Sequence, residues 1–186
     1  MESLFDRLQA KAYKKQIPAQ TKQSRDWFRS ELRGMRVKSD DVLGDKNLER
    51  RTRPAPGRMY TYFYDPKHKD TLPYYDRFPL IFPINKVKGG FLGINFHYLP
   101  PLMRGQLMDA LYTVTSNKTF DETTKLKVSY ELLQSAARFR FFKPALKMYL
   151  NKQMQSKFVY INPTEWDIAL FLPLARFEGA NKQKVY

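Results

Sequence analysis

The sequence predicts an α+β fold, in which a small twisted antiparallel sheet is braced by helices and preceded by an N-terminal helical arm. Apolar residues recur at helical spacing in the first part of the chain and alternate with other residues from Gly57 onward. A breaker run with two prolines and a glycine, residues 51–57, lies where the spacing changes. With 186 residues, of which 42% are hydrophobic and 15% aromatic, the chain can form a core of ordinary size.

The first 56 residues are predicted to form the helical arm and a linker. Helices are expected over residues 2–15 and 21–33, because each range presents one apolar face. These faces consist of Leu4, Phe5, Leu8 and Ala12 in the first helix, and of Trp27, Phe28 and Leu32 in the second. Residues 36–53 are highly charged and nearly devoid of bulky apolar side chains, which is typical of a linker. The arm can wrap a partner or a neighbouring subunit, or it can pack back on its own domain.

The core domain, residues 57–186, is predicted to begin with three strands. Their ranges are residues 59–64, 77–87 and 91–99. The second strand contains Pro79 and Pro83, which predicts an edge position or a bulge, because proline lacks the N–H that a sheet ladder needs. Lys88-Gly89-Gly90 is typical of a hairpin connection to the third strand. A sheet of this kind can curl into an SH3-like barrel.

Alternation along two of these strands predicts which side chains share a face. In the first strand, one side carries Tyr60, Tyr62 and Tyr64, and the other carries Met59 and Phe63. In the third strand, one side carries Leu92, Ile94, Phe96 and Tyr98, and the other carries Asn95 and His97. We therefore expect the apolar side of the third strand to be buried, and a change of His97 to alanine to be mild.

Helices and one late strand are predicted to complete the core domain. A first helix is expected from Pro100-Pro101 to about Val114, because proline is tolerated at a helix start. A second helix, capped by Thr119 or Asp121, carries Leu126, Tyr130, Leu133 and Ala137. A third helix follows Pro144, a strand spans residues 157–161, a short helix runs from Asn162-Pro163 through Trp166 and Leu170, and residues 179–186 form a polar tail.

The strongest functional signal is a basic segment, residues 138–157, which holds six basic side chains and no acidic one. No carboxylate occurs from Leu132 to Thr164, and the whole chain has a formal net charge of +15. A field of this sign attracts polyanions, above all nucleic acid. The residues predicted to bind DNA are Arg138, Arg140, Lys143, Lys147, Lys152 and Lys157. In the predicted third helix, Lys143 and Lys147 are one turn apart.

Two other interpretations of the basic segment stay open. Its basic side chains can form a solvated surface, or a docking surface for an acidic protein partner. Its aromatic side chains can stack on splayed bases. However, Phe139, Phe142, Leu146, Tyr149 and Leu150 fall at helical core spacing, so we expect most of them to be interior.

The sequence shows no specific constellation for catalysis or for a cofactor. The chain has no cysteine, which excludes disulfides, thiolate nucleophiles and cysteine-based metal sites. His68 and His97 have no ligand partner at metal-binding spacing, so structural or surface roles are predicted for both. Asp65, Asp70 and Asp76 can be imagined as metal ligands of a nuclease, but turn formation is the commoner role of such loop aspartates.

The sequence also predicts a protein without a membrane segment. The longest apolar candidate, Ile168 to Leu174, is interrupted by Pro173 and is far shorter than a membrane span. The N-terminus lacks the basic and apolar regions of a secretory signal. We therefore expect a soluble protein that is present in the cytoplasm when it is made.

Four stretches resemble motifs of virion proteins from T4-like myoviruses. They are Gly57-Arg-Met-Tyr-Thr-Tyr-Phe-Tyr-Asp-Pro66, Leu72-Pro-Tyr-Tyr-Asp-Arg-Phe-Pro-Leu80, Gly90-Phe-Leu-Gly-Ile-Asn-Phe-His-Tyr-Leu-Pro100 and Glu165-Trp-Asp-Ile-Ala-Leu-Phe-Leu-Pro173. The group that they resemble is the phage DNA end protector family, which are head-completion proteins. The resemblance covers about residues 57–178 and leaves the N-terminal arm uncovered.

The resemblance implies a non-enzymatic virion protein that binds the ends of packaged double-stranded DNA and blocks host exonucleases. It implies other virion proteins of the portal, neck or tail as partners, with the host cytoplasm as the place of assembly. It implies no catalytic residue and no cofactor. The alternatives are a structural subunit of the neck or baseplate hub without direct DNA function and, less favoured, a nuclease.

Overall fold

The computed structural model describes residues 2–180 and 182–185, without the side chain of Lys182, and it confirms the predicted α+β fold. In chain order the helices are α1 (Leu4–Lys14), α2 (Lys22–Arg33), α3 (Asp40–Leu43), α4 (Pro101–Thr115), α5 (Glu122–Arg138), α6 (Trp166–Ala169) and α7 (Lys182–Val185). The strands are β1 (Arg50–Arg51), β2 (Met59–Thr61), β3 (Tyr75–Asp76), β4 (Leu80–Val87), β5 (Gly90–Asn95), β6 (Leu146–Leu150), β7 (Phe158–Ile161) and β8 (Phe177–Glu178). None of the described helices is long and apolar enough to cross a membrane.

The main sheet is antiparallel throughout and has the strand order β1-β7-β2-β4-β5-β6. It is not closed into a barrel, so β1 and β6 are its edge strands. A second, two-stranded sheet pairs β3 with β8. The order shows that residues far apart in the chain become neighbours, since β7 lies between β1 and β2.

The predicted bulge in the second strand is confirmed, but the predicted edge position is wrong. The strand β4 lies inside the sheet between β2 and β5, and its register shifts between Pro83 and Asn85. Proline is tolerated there because the bulge removes the need for an N–H donor at that point. The Pro83 carbonyl oxygen instead accepts a bond from the Gly57 N–H at 3.3 Å.

The two faces of the main sheet bury different kinds of side chain. Helices cover one face, where the main core includes Met59, Phe82, Ile94, Val159 and Trp166. The other face carries an aromatic cluster of Tyr60, Tyr62, Tyr64, Phe91, Tyr149 and Phe158, together with Ile81. The alternation predicted from residue 59 to residue 64 is therefore confirmed, because the tyrosines share the second face and Met59 and Phe63 belong to the first.

The N-terminal helices begin at capping boxes and pack against the main core. Ser3 and Thr21 are the N-caps of α1 and α2, and each side chain accepts a bond from the third helical amide. Of the predicted inward residues, Leu4, Phe5, Leu8, Ala12, Phe28 and Leu32 are buried in that core, and Trp27 is half-buried against it. Of the two alternatives for the arm, the structure thus shows the one in which it packs on its own domain.

Residues 36–53, expected to be a linker, instead contain α3 and the edge strand β1. Val42 and Leu48 are buried in the main core, and β1 pairs with β7, so the segment packs on the rest of the chain. The Arg50 guanidinium donates to the carbonyl oxygens of Leu43 and Asp45, which stabilises the end of α3. The division of the chain at residue 56 into an arm and a core domain stays a prediction.

The helix predicted after Pro144 is wrong. Residues 143–145 form one turn of 3-10 helix, and β6 follows as an edge strand paired with β5. Gly90 permits the close pairing of the two strands, since a Cβ there would lie 1.9 Å from the Tyr149 carbonyl oxygen. The apolar residues of this short segment fit both helical and alternating spacing. The segment forms a strand because it hydrogen-bonds to the edge of β5, which would otherwise be unpaired.

The strand expected over residues 91–99 ends at Asn95 and is followed by a 3-10 turn, Phe96–Tyr98. This turn brings His97 into a buried network around Asp76. The His97 Nδ1 lies 2.7 Å from Asp76 Oδ2, and Asn95 Nδ2 donates to that same oxygen at 3.0 Å. Asp76 Oδ1 accepts from the backbone amides of Phe78 and Arg176, at 3.0 and 3.2 Å. His97 is therefore a structural residue of the interior, which contradicts the expectation that its loss is mild.

A second buried network joins α2 to α4 and α6. The Asp167 carboxylate accepts bonds from the Tyr112 hydroxyl at 2.9 Å, the Gln20 amide at 3.0 Å and the Ser24 hydroxyl. Arg25, which is buried, pairs with Asp109 and lies 3.7 Å from Asp167. These bonds fix the N-terminal helices to the rest of the chain in a defined orientation, which apolar packing alone does not do.

Replacing His97 with alanine is expected to lower the free energy of unfolding by about 3–5 kcal/mol, because the Asp76 carboxylate stays buried without its nearest partner. The matched control is the same change at His68, which is exposed in the loop after β2 and should alter stability by less than about 0.5 kcal/mol. Urea unfolding followed by circular dichroism measures both. Similar small losses at the two positions would show that the buried pair does not support the fold.

The two buried aspartates are expected to affect acid unfolding in opposite directions. Burial favours neutral Asp76, but the charge of His97 and bonds from His97, Asn95 and the Phe78 amide outweigh it and lower the pKa below its ordinary 3.8. The stability that Asp76 contributes is therefore complete above that value and is lost as the pH falls through the folded pKa. Burial raises the pKa of Asp167, so its contribution is present below 3.8 and is lost as the pH rises through the folded pKa.

Unfolding midpoints measured from neutral pH down to about pH 3 test this prediction. As the pH falls, the unfolding midpoint of Asp76→Asn should decrease less steeply than that of the wild type. The unfolding midpoint of Asp167→Asn should decrease more steeply than that of the wild type. Parallel curves for all three proteins would mean that neither carboxylate changes its pKa on folding.

Candidate nucleic-acid interface

The six basic residues predicted to bind DNA do not lie on one helix. Arg138 ends α5, Arg140 and Lys143 lie in the turn that follows, and Lys147 lies on the edge strand β6. Lys152 and Lys157 lie on the connection from β6 to β7. The expected spacing of Lys143 and Lys147 along a helix is therefore wrong, because a 3-10 turn and a strand replace that helix.

None of the six side chains forms an ion pair with another described residue. Within residues 2–180 and 182–185, no carboxylate lies within salt-bridge distance of any of them. Five of them are exposed, and Lys147 is half-buried. By contrast, several bases elsewhere pair with neighbouring acids, as Lys22 does with Asp26 and Lys69 with Asp65. Within the described residues, the positive charge of the predicted residues is therefore not neutralised by ion pairs.

One groove on the aromatic face of the sheet brings three bases together. The groove has a volume of about 910 Å³ and lies between residues 52–56, the hairpin of β4 and β5, and residues 151–158. Its bases are Arg53, Lys86 and Lys157, its apolar floor includes Phe91 and Phe158, and no carboxylate lines it. We call it the basic groove. A groove lined by bases and apolar rings can accept a phosphate backbone with its sugars.

A second, smaller groove of about 480 Å³ lies beside β6. We call it the tyrosine groove, because its walls include Tyr64, Tyr74, Tyr75, Tyr98 and Tyr149, with Lys67, His68 and Lys147 beside them. The Lys147 ammonium lies 4.1 Å from the centre of the Tyr98 ring, and burial lowers the pKa of this lysine. The two grooves are separated by the chain from Leu150 to Met154, which contributes residues to both.

The sequence alone missed three of these bases. Arg53 lies in the breaker run and Lys86 in the hairpin, both far in the chain from Lys157, and the sheet order brings them together. Lys67, in the loop after β2, reaches the tyrosine groove in the same way. The only signal in the sequence was their position beside Pro and Gly turns, which many surface bases share.

The phenylalanines of the basic segment differ from the prediction. Phe139 and Phe141 are 63% and 75% exposed, although Phe139 was expected to be interior. The reason is that α5 ends at Arg138, so the helical spacing on which that expectation rested does not continue. Tyr149 is buried as expected, and Phe142, Leu146 and Leu150 are half-buried.

The aspartates considered for nuclease chemistry are held apart by other roles. Asp65 pairs with Lys69, and Asp76 is buried in the network with His97. In the described part of the chain, no three acidic or histidine side chains come together as a group that could hold a metal ion. Basic side chains without ion pairs suit binding of a polyanion by charge.

Comparison with known proteins identifies one family. The family model described as phage T4 terminal DNA protecting protein matches residues 1–186. The match includes the N-terminal arm, which the motifs of the core domain had left uncovered. No curated protein and no solved structure shows a significant match to the chain.

Proposed function

Because the chain belongs to the family of phage T4 terminal DNA protecting proteins over residues 1–186, we propose that it binds the ends of packaged double-stranded DNA and protects them from host exonucleases. The membership makes it a bacteriophage protein of a family that protects DNA ends. The binding mode, the nuclease that is blocked and the site residues are the parts that we propose.

The observation that best supports this proposal is a set of Lys and Arg side chains around β6 and the basic groove. Five of these residues are exposed and form no ion pair in the part of the chain that the structure describes, namely Arg138, Arg140, Lys143, Lys152 and Lys157. Lys157 shares its groove with Arg53 and Lys86. Duplex DNA carries one negative charge per roughly 1.7 Å of helix axis, and each neutralised phosphate releases a counterion. Binding by this mechanism ignores sequence, which suits a protein that must accept whatever sequence the DNA end has.

A bound protein protects an end by occupying the place where an exonuclease must begin. This role needs positioning and charge, and it needs no catalytic group or cofactor, so we infer that the protein is not an enzyme. We further propose that it is part of the virion, that it is assembled in the host cytoplasm, and that portal, neck or tail proteins are its neighbours. The role of a neck or baseplate-hub subunit without DNA contact is the alternative, and loss of charge separates the two.

Duplex DNA binding is expected to weaken steeply with salt and to depend on two groups of bases. One variant changes Arg138, Arg140 and Lys143 to glutamine, and a second variant changes Arg53, Lys86 and Lys157. Each should weaken binding and reduce the slope of log K against log salt by up to about 2.7, since each phosphate contact contributes about 0.9. Fluorescence anisotropy with a labelled duplex at several salt concentrations gives both values.

The control variant changes Lys14, Lys22 and Arg33 to glutamine, which removes three charges from α1 and α2 outside both grooves. All three variants then have the same net charge. If the control loses as much affinity and slope as the other two, binding follows total charge and the proposed surface is not the DNA site. If no protein binds DNA at low salt, the structural-subunit alternative is favoured.

Protection is expected to be specific to the ends of linear DNA. A linear duplex incubated with the protein should survive a processive double-strand exonuclease, whereas an endonuclease should still cut the same duplex at an internal site. The duplex should also stay intact with protein and Mg²⁺ alone. Equal protection from both nucleases would indicate general coating of DNA, and cleavage by the protein itself would favour the nuclease alternative.

A further inference from the structure

A tight turn between α5 and β6 exposes two phenylalanine rings to solvent. Phe139 is 63% exposed and Phe141 is 75% exposed, whereas each of the other phenylalanines is buried or half-buried. All 14 phenylalanines of the chain lie within the described residues. Exposing such rings forfeits the burial energy that apolar side chains normally supply, about 1.5–3 kcal/mol for each. The fold therefore gains little burial energy from these two rings.

The turn is anchored on both sides. The Phe139 amide donates to the Ala136 carbonyl oxygen at 3.0 Å, and the Phe142 amide donates to the Phe139 carbonyl oxygen at 3.0 Å. The Ala145 amide donates to the Phe142 carbonyl oxygen, also at 3.0 Å, and the Phe142 ring packs against the main core. Because its backbone is tied to α5 and β6, the turn presents its two exposed rings from a defined place.

Basic side chains flank both phenylalanines in the sequence. Arg138, Arg140 and Lys143 are exposed, and none of them pairs with a carboxylate of the described chain. The sequence has no acidic residue from position 132 to position 164 that could neutralise them. A ligand that complements these rings and basic side chains must therefore combine a flat apolar face with closely placed negative charges.

The end of a DNA duplex has this chemistry. Its terminal base pair exposes an aromatic face that every interior base pair hides by stacking, and phosphates of both strands surround that face. Aromatic side chains stack on nucleobases without regard to sequence. Exposed aromatic rings beside Lys and Arg side chains can therefore recognise a duplex end. Lys and Arg side chains alone bind the phosphates of the duplex interior equally well.

We propose that Phe139 and Phe141 stack on the terminal base pair of the duplex, while Arg138, Arg140 and Lys143 bind the phosphates next to it. This end cap rests on the proposed function and adds the means by which an end is distinguished from the interior of the same DNA. The basic groove then supplies contact along the backbone.

The test compares one DNA fragment in two forms, as a linear duplex with blunt ends and as a relaxed closed circle. The wild type should prefer the linear form, and Phe139→Ala with Phe141→Ala should lose about tenfold in affinity for it, as expected for lost base stacking. Affinity for the circle and the salt slope should stay as in the wild type. The variant with glutamine at positions 138, 140 and 143 should instead weaken binding to both forms and lower the slope.

Two further variants exclude simpler explanations. Tyr13→Ala removes an aromatic ring that is 84% exposed on α1, and it should leave the preference for ends unchanged. Phe139→Leu with Phe141→Leu keeps apolar side chains but removes the rings, and it should lose the preference as the alanine variant does. Thermal unfolding should be the same for all of these proteins, since every changed side chain is exposed.

A direct readout uses 2-aminopurine at the terminal position of the duplex, because stacking quenches its fluorescence. Wild-type protein should lower the emission, and the alanine variant should not. If the alanine variant retains the wild-type preference for ends, or if the wild type binds both forms equally, the end cap is wrong while DNA binding stands. If the wild type binds neither form, the proposed function fails as well.

Discussion

The arrangement of the sheet and its loops depends on the hydrogen bonds of the buried Asp76 carboxylate. It lies on β3 and bonds His97 and Asn95 at the end of β5, the amide of Phe78 before β4, and the amide of Arg176 before β8. The Asn95 side chain also donates to the Tyr149 hydroxyl at 3.1 Å, which extends the network to β6. A buried carboxylate without these partners would cost several kcal/mol, so the segments that supply them have to meet at this point.

Several acidic residues lie in the interior or pair with a neighbouring lysine, whereas one segment of basic residues has none nearby in the sequence. Asp76 and Asp167 are buried in polar networks, while Asp26 and Asp65 pair with a lysine four residues away. Residues 132–164 contain no carboxylate, and within the described residues no carboxylate lies within salt-bridge distance of the basic side chains at positions 138–157. Part of the net charge of +15 therefore lies on a segment without acidic residues, which suits binding to a polyanion.

The position of β6 connects this charge to the fold. As an edge strand it carries Lys147, and the turns at its two ends carry the exposed phenylalanines and Lys152. The strand itself is held by pairing with β5 and by the burial of Tyr149 in the aromatic cluster. A ligand at this edge therefore meets side chains on a rigid support, so binding requires little ordering of the protein.

The sequence by itself determined the fold class, the two N-terminal helices with their buried faces, the strands at β2, β4, β5 and β7, and the basic segment. Each of these depends on local periodicity, on turn residues or on composition, which a single stretch of chain contains. The family resemblance came from motifs of contiguous residues in the same way, and the match over residues 1–186 confirms it.

Tertiary structure alone decided where the bases meet and which rings are exposed. Residues 146–150 are too short for their spacing to separate helix from strand, and only the free edge of β5 made them a strand. Arg53, Lys86 and Lys157 share a groove because β7 lies between β1 and β2, an order that no local pattern contains. Phe139 and Phe141 are exposed because α5 ends just before them, and His97 is buried because a 3-10 turn directs it to Asp76. For the strand, the groove and His97, the outcome depends on a partner distant in the chain, and such partners are chosen by the packing of the whole molecule.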